Sequence, residues 1–183
     1  MVFKMLQGGK GPISIHSHRW MSEKMDGVRA YWNGEKLLSR SSKDIVCPEW
    51  FTAALPSDIA LDGELWSGQG TTHENILQVM NSKDGDWSQI GYYVFDIPSS
   101  SGTYEERMQE MENVNQRLPP HVHIVSNVQC KGAEDLRDYL DFISATRGEG
   151  VMLRKPQTKN EAGLTSSILK VKVKITSICY SFN

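Results

Sequence analysis

Apolar positions along the chain fall in short runs of alternating polarity, separated by turn residues. Val28-Arg29-Ala30-Tyr31-Trp32 is followed by Asn33-Gly34 and then by Lys36-Leu37-Leu38-Ser39-Arg40. This predicts a β-hairpin in which Asn-Gly takes the positive φ angles of a tight type I′ turn. The same alternation, or a short apolar run bounded by turn residues, predicts strands over 59–66, 90–97, 124–128, 150–154 and 168–175. Helical spacing is found over 49–55, 72–80, 103–117 and 133–146. The third of these opens with Thr103 just ahead of Glu105 and Glu106, the residue types preferred at a helix start. Strands punctuated by helices, without a regular βαβ alternation, predict an α+β domain with largely antiparallel sheets flanked by helices.

A length of 183 residues fits one compact domain with a core of its own. Hydrophobic residues make up 39% and charged residues 23%, and no stretch approaches the ~20 apolar residues of a membrane span, so a soluble protein is expected. The formal net charge of −2 excludes a uniformly basic nucleic-acid coat but leaves room for a local phosphate-binding cluster. Cys47, Cys130 and Cys179 are isolated singletons, forming neither a disulfide framework nor a CxxC metal pair, which points to reduced thiols inside a cell. The first ten residues contain no apolar run of the kind a secretory signal carries.

Candidate chemistry begins at Glu23-Lys24-Met25-Asp26-Gly27-Val28-Arg29. Alone, Lys24 ahead of Asp26-Gly27 fits an exposed lysine beside a common turn. The chemical alternative is a lysine amine with a lowered pKa that attacks the α-phosphorus of a nucleoside triphosphate, releasing pyrophosphate and leaving a phosphoramidate. The motifs that follow favour the second reading. Asp62-Gly63-Glu64-Leu65-Trp66 comes next, then Tyr92-Tyr93-Val94-Phe95-Asp96-Ile97, then Glu149-Gly150-Val151-Met152-Leu153-Arg154, and finally Leu169-Lys170-Val171-Lys172.

In that order the chain resembles the covalent nucleotidyltransferases, which comprise ATP-dependent DNA ligases, RNA ligases and mRNA capping enzymes. The resemblance spans Lys24 to Lys172. It is closest to the adenylation domain of small ATP-dependent DNA ligases, through the wording around Lys24, Leu37 to Ser41, Trp50 to Ala53 and Leu61 to Trp66. It implies an ATP-grasp-like nucleotidyltransferase fold over residues 1–174, with ATP and Mg²⁺ as cofactors. The implied activity is adenylation of Lys24, transfer of AMP to a 5′-phosphate, and sealing of nicked double-stranded DNA by a monomeric protein. An RNA acceptor, a GTP-dependent capping reaction, and a non-catalytic remnant that binds nucleotide or nicks remain open as alternatives.

Site residues follow from the resemblance. Glu64 and Glu149 face the nucleotide, touching ribose or holding Mg²⁺ through water, as hard oxygen donors can. Their plain alternative is a pair of solvated glutamates at strand ends. Asp26 orients Lys24 or holds a metal-bound water, or else simply caps its turn. Arg29 binds ribose or phosphate, or else faces outward. Phe95 stacks on adenine, or packs in the core. Lys170 and Lys172, two apart on a strand, point to one face, where they neutralise the α-phosphate and lower the pKa of Lys24, or extend with Lys174 as a charged strand face. Arg40, among Ser39, Ser41, Ser42 and Lys43, holds the 5′-phosphate side of a nick, or lies in an ordinary polar loop. His73, His121 and His123 are assigned no chemistry.

The end of the chain departs from the pattern. Family members continue after the last motif into an OB-fold domain bearing a further basic motif that orients pyrophosphate. Here only Val173 to Asn183 follows Lys172, with an apolar and uncharged tail over 175–183. The expectation is a missing OB-fold domain and slow self-adenylation, with sealing of pre-adenylated ends retained.

Overall fold

The computed structural model describes residues 18–160 and 166–173. The first ten residues, Lys174, Cys179 and the tail over 175–183 lie outside them. The described chain forms β1 (Trp20–Lys24), β2 (Val28–Trp32), β3 (Leu37–Ser39), α1 (Glu49–Thr52), β4 (Leu61–Trp66), α2 (His73–Asn81), β5 (Gly91–Asp96), α3 (Tyr104–Asn115), β6 (Val122–Ile124), β7 (Val128–Gln129), α4 (Ala133–Ala145), β8 (Gly150–Arg154) and β9 (Ile168–Lys172), with a 3₁₀ turn at Trp87–Gln89. These strands build two sheets, one of order β7-β1-β8-β9 and one of order β3-β2-β4-β5-β6. All pairings are antiparallel except β5 with β6. The predicted α+β class with largely antiparallel sheets is what the chain adopts.

Each sheet has its own core. The five-stranded sheet packs Trp32, Leu61, Leu65, Tyr92 and Val94 against Phe51, Ile76 and Met111. The four-stranded sheet packs Met21, Val151, Leu153 and Val171 against Leu136, Leu140 and Ile143 of α4. Burying one such aliphatic side chain contributes about 1.5–3 kcal/mol. Both α2 and α3 begin with reciprocal capping boxes, Thr72 with Asn75 and Thr103 with Glu106, which satisfy amides that a helix start leaves open.

Several local expectations change. The Asn33-Gly34 turn is not type I′, because Trp32 pairs with Leu37 and leaves a four-residue loop, Asn33 to Lys36. Among these residues only Gly34 has a positive φ, at 96°. Asn33 instead accepts the amides of Glu35 and Lys36 on its side-chain oxygen at 2.9 and 2.8 Å, a local turn that competes with the tight hairpin. The predicted strand 124–128 is two strands in different sheets, β6 and β7, split by a turn in which Asn127 bonds Val125 O. The helix predicted over 49–55 shortens to Glu49–Thr52. Strand β1 has no counterpart among the predicted elements, because Trp-Met-Ser-Glu-Lys lacks clear alternation. Cys47 and Cys130 are free thiols. No described helix is long and apolar enough to cross a membrane.

Candidate active site

Lys24 is the last residue of β1, and Val28, the first of β2, already belongs to the other sheet. The turn Met25-Asp26-Gly27 is therefore a bridge between the two sheets. It is seated closely on β4: a Cβ at Gly27 would lie 2.2 Å from Leu65 O and 2.8 Å from Glu64 Cγ. Only glycine permits that approach. His73 holds the same turn from the start of α2, its Nδ1 lying 2.6 Å from Gly27 O. Because a carbonyl only accepts, Nδ1 is the donor.

Three strands then align the charged groups. Lys24 and Lys172 are both register partners of Gly150, on β1 and β9 either side of β8. Residues directly opposite across a sheet project to the same face, so the two ammonium groups flank a position without a side chain. Gly150 is required there, since a Cβ would lie 2.1 Å from Val171 O. The carboxylate of the preceding residue, Glu149, fills the gap. It accepts from Lys24 Nζ through one oxygen and from Lys172 Nζ, at 2.8 Å, through the other. Burial opposes the charged form of Glu149, but the hydrogen bonds from Lys172 and Lys24 outweigh it and hold the carboxyl below its ordinary pKa. The same contact raises the pKa of Lys172, with a smaller contribution from Asp26. Lys24 and Glu149 are only 16% and 17% exposed, whereas Lys172 is 54% exposed.

The opposing wall belongs to the five-stranded sheet. Glu64 lies between Arg29 on β2 and Tyr93 on β5, and directly beneath Gly27. Burial pushes its pKa up to about 7 despite the nearby positive charges of Lys24 and Arg29. Arg29 is clamped in two places by Asp62, Nε to Oδ1 at 3.0 Å and Nη2 to Oδ2 at 2.5 Å. Its guanidinium sits 5.5 Å from the centre of the half-buried Phe95 ring. A flat aromatic face and a forked cation are thus adjacent.

Of the predicted residues, the structure brings Lys24, Glu149 and Lys172 into one hydrogen-bonded cluster, with Asp26 and Glu64 beside it and Arg29 and Phe95 together on the facing sheet. Lys170 projects from β9 opposite Met152 and makes no ion pair among the described residues. Arg40 is exposed in the turn after β3, shaped by Ser42 at φ 60° and by Ser39 Oγ accepting from Lys43 N at 3.1 Å. Among the described residues, no three Asp, Glu, His or Cys side chains converge as a metal centre. Asp26, Glu64 and Glu149 therefore do not by themselves converge on one metal position. His121 fixes Phe51 O at 2.8 Å and His123 packs on Tyr93. His73 and Asp62 are contributors that sequence patterning did not single out. Asp62 stands inside a quoted motif, while nothing local to His73 marks it.

The family model for the ATP dependent DNA ligase domain matches residues 13–172. A DNA ligase of Haemophilus influenzae is 35% identical over 154 residues, covering 83% of this chain and 57% of the relative. Among solved structures, one from a study of DNA binding by the minimal scaffold of Lig E DNA ligases superposes with a TM-score of 0.79 at 30% identity, over 86% of this chain and 63% of that one. Chlorella virus DNA ligase-adenylate superposes with a TM-score of 0.69 at 26% identity, over 85% of this chain and 61% of that one. The chain thus spans somewhat less than two thirds of the length of these relatives.

Proposed function

The chain belongs to the ATP-dependent DNA ligase domain family, and from that premise we propose that it is the adenylating part of a DNA ligase, with Lys24 as the residue that carries AMP. The observation that supports this most is the position of Lys24. It ends β1 at the crossing between sheets, with Glu149 and Lys172 aligned beside it through Gly150, while the other sheet carries Phe95 with Arg29 beside its ring.

The triphosphate enters between the sheets with adenine against Phe95, a stacking contact worth roughly 1–3 kcal/mol. Arg29, oriented by Asp62, meets the ribose side, and Lys172 with Lys170 meets the phosphates. Incoming phosphate oxygens compete with Glu149 for the two ammonium groups, which frees Lys24 from its carboxylate partner. Lys24 gives up a proton to solvent water, and its lone pair attacks the α-phosphorus. The P–N bond forms as the bond to the bridging oxygen breaks, and pyrophosphate leaves with that electron pair. The site donors are carboxylates, the hard oxygen ligands that suit Mg²⁺. When bound, Mg²⁺ offsets the charge of the phosphates. Glu64 and Glu149, with Asp26 at the turn, are the groups that would hold it through its waters.

A 5′-phosphate oxygen of nicked DNA then attacks the lysyl-AMP phosphorus and releases Lys24, and a 3′-hydroxyl displaces AMP to close the strand. Arg40, exposed in its serine-rich turn, is placed to contact the DNA phosphates. The adenylation domain is taken to run over residues 1–174. Incubation with α-labelled ATP and Mg²⁺, followed by denaturing electrophoresis, tests the central step. Label is expected on the wild-type chain and absent from Lys24→Ala; equal label on both would overturn the assignment. Nicked DNA set against nicked RNA duplexes tests the acceptor.

A further inference from the structure

Asp96 follows Phe95 on β5 and is 3% exposed, yet it is a carboxylate. Two arginines from other elements converge on it. Arg107 of α3, fully buried, donates Nε to Oδ1 at 2.6 Å and Nη2 to Oδ2 at 3.3 Å. Arg154, the last residue of β8, donates Nη1 to Oδ2 at 2.8 Å. The amide of Ile97 supplies a further bond at 2.9 Å. The remaining Arg107 nitrogen holds Gly102 O and Thr158 O at 2.8 and 3.1 Å, while Arg154 lies 4.3 Å over the ring of Tyr104.

This network ties one sheet to the other. Asp96 belongs to the five-stranded sheet and Arg154 to the four-stranded sheet. Each also sits on a strand that carries part of the nucleotide pocket, Asp96 beside Phe95 and Arg154 at the far end of the strand that Glu149 precedes. Buried charges are held only where their hydrogen bonds are satisfied in one geometry, so the network fixes spacing more sharply than apolar contact would. We propose that Arg154 and Arg107, acting through Asp96, are positioning residues that set the gap between the base-stacking wall and the Lys24–Glu149–Lys172 wall. Neither touches the reacting atoms. This rests on the adenylation assignment above, and its signature is weakened ATP binding at nearly unchanged chemistry.

The test measures the half-saturating ATP concentration and the limiting rate of label incorporation for the full chain, below the melting temperature of every variant. Four proteins are compared: wild type, Arg154→Met, Arg154→Lys and Leu140→Ala. Leu140 lies in the α4 core, takes no part in the Asp96 hydrogen bonds, and serves as a destabilised control. Arg154→Met is expected to raise the half-saturating concentration at least ~10-fold with the limiting rate within ~3-fold, because the two walls that grip base and phosphates are no longer held ready at one spacing. Arg154→Lys, which can still reach Asp96, should recover part of the loss. Leu140→Ala should melt lower with its half-saturating concentration unchanged. An unchanged half-saturating concentration in Arg154→Met, or an equal rise in Leu140→Ala, overturns the positioning role while leaving adenylation intact. Absence of label on the wild type instead overturns adenylation itself, and this role with it.

Discussion

Two carboxylates in this molecule are each gripped by two cations, and they stand near opposite ends of β8. At one end Glu149 joins Lys24 and Lys172, while at the other Asp96 joins Arg154 and Arg107. The chemistry differs in two respects. Lysines serve the first and arginines the second, and Lys172 is 54% exposed where Arg107 is 0% exposed. A lysine ammonium makes rotatable point contacts and can lose its proton, whereas a guanidinium keeps its charge and fixes a planar fork. Lys172, the exposed member, leaves the lysine cluster open to an incoming phosphate, although Lys24 is no more exposed than Arg154. Arg107 and Asp96, 0% and 4% exposed, hold the arginine cluster in one arrangement. One pattern of charge serves as a reactive site or as a frame according to burial and the kind of cation.

The comparison is most easily broken by removing one partner from each cluster. Arg107→Met leaves Asp96 buried with a single arginine, and loss of about 3–5 kcal/mol in a urea titration is expected. Glu149→Gln should cost less, about 1 kcal/mol, because Lys172, 54% exposed, still reaches water. Equal losses would contradict the division between frame and site.

Next in size is the pH response of Glu64, the other desolvated acid of the pocket. Its pKa rises from 4.5 to about 7 on folding. Between those values the folded chain keeps a proton that the unfolded chain has lost, so the contribution of Glu64 to stability is full below 4.5 and is lost as pH rises through 7. Glu64→Gln should therefore melt near wild type at acidic pH, and be more stable by roughly 1–3 kcal/mol at pH ~8. Thermal unfolding across that range checks the sign. The smallest effect concerns salt. The stability difference between wild type and Glu149→Gln should shrink by a few tenths of a kcal/mol as ionic strength rises to about 1 M, while that of Arg107→Met stays constant.

These clusters also mark how far sequence carries. Lys24, Glu149 and Lys172 are legible because each stands in a short motif, Lys24 ahead of Asp26-Gly27, Glu149 beside Gly150 and Lys172 on an alternating strand, and the motifs follow one another in a set order. Their meeting across Gly150 is a matter of register, which no local pattern encodes. Arg107 reads locally as a polar helix residue between Glu106 and Met108, and its burial depends on an acid eleven residues earlier and a strand far later in the chain. The Asn33-Gly34 pair was legible as a turn but not as its type, because the Asn33 side chain takes the amides that a type I′ turn would leave to the backbone. Strand β1 escaped notice because its partners, not its own residues, make it a strand. His73 escaped for a similar reason, since its role lies in a contact with Gly27, 46 positions away.

Lys24 is the proposed acceptor of AMP, and peptide mapping after incubation with ATP and Mg²⁺ locates the adduct. One adenylyl group per chain is expected, on the peptide containing Lys24, acid-labile as a phosphoramidate, and reversed by added pyrophosphate. An adduct on another residue, or an adduct that persists in Lys24→Ala, would contradict it.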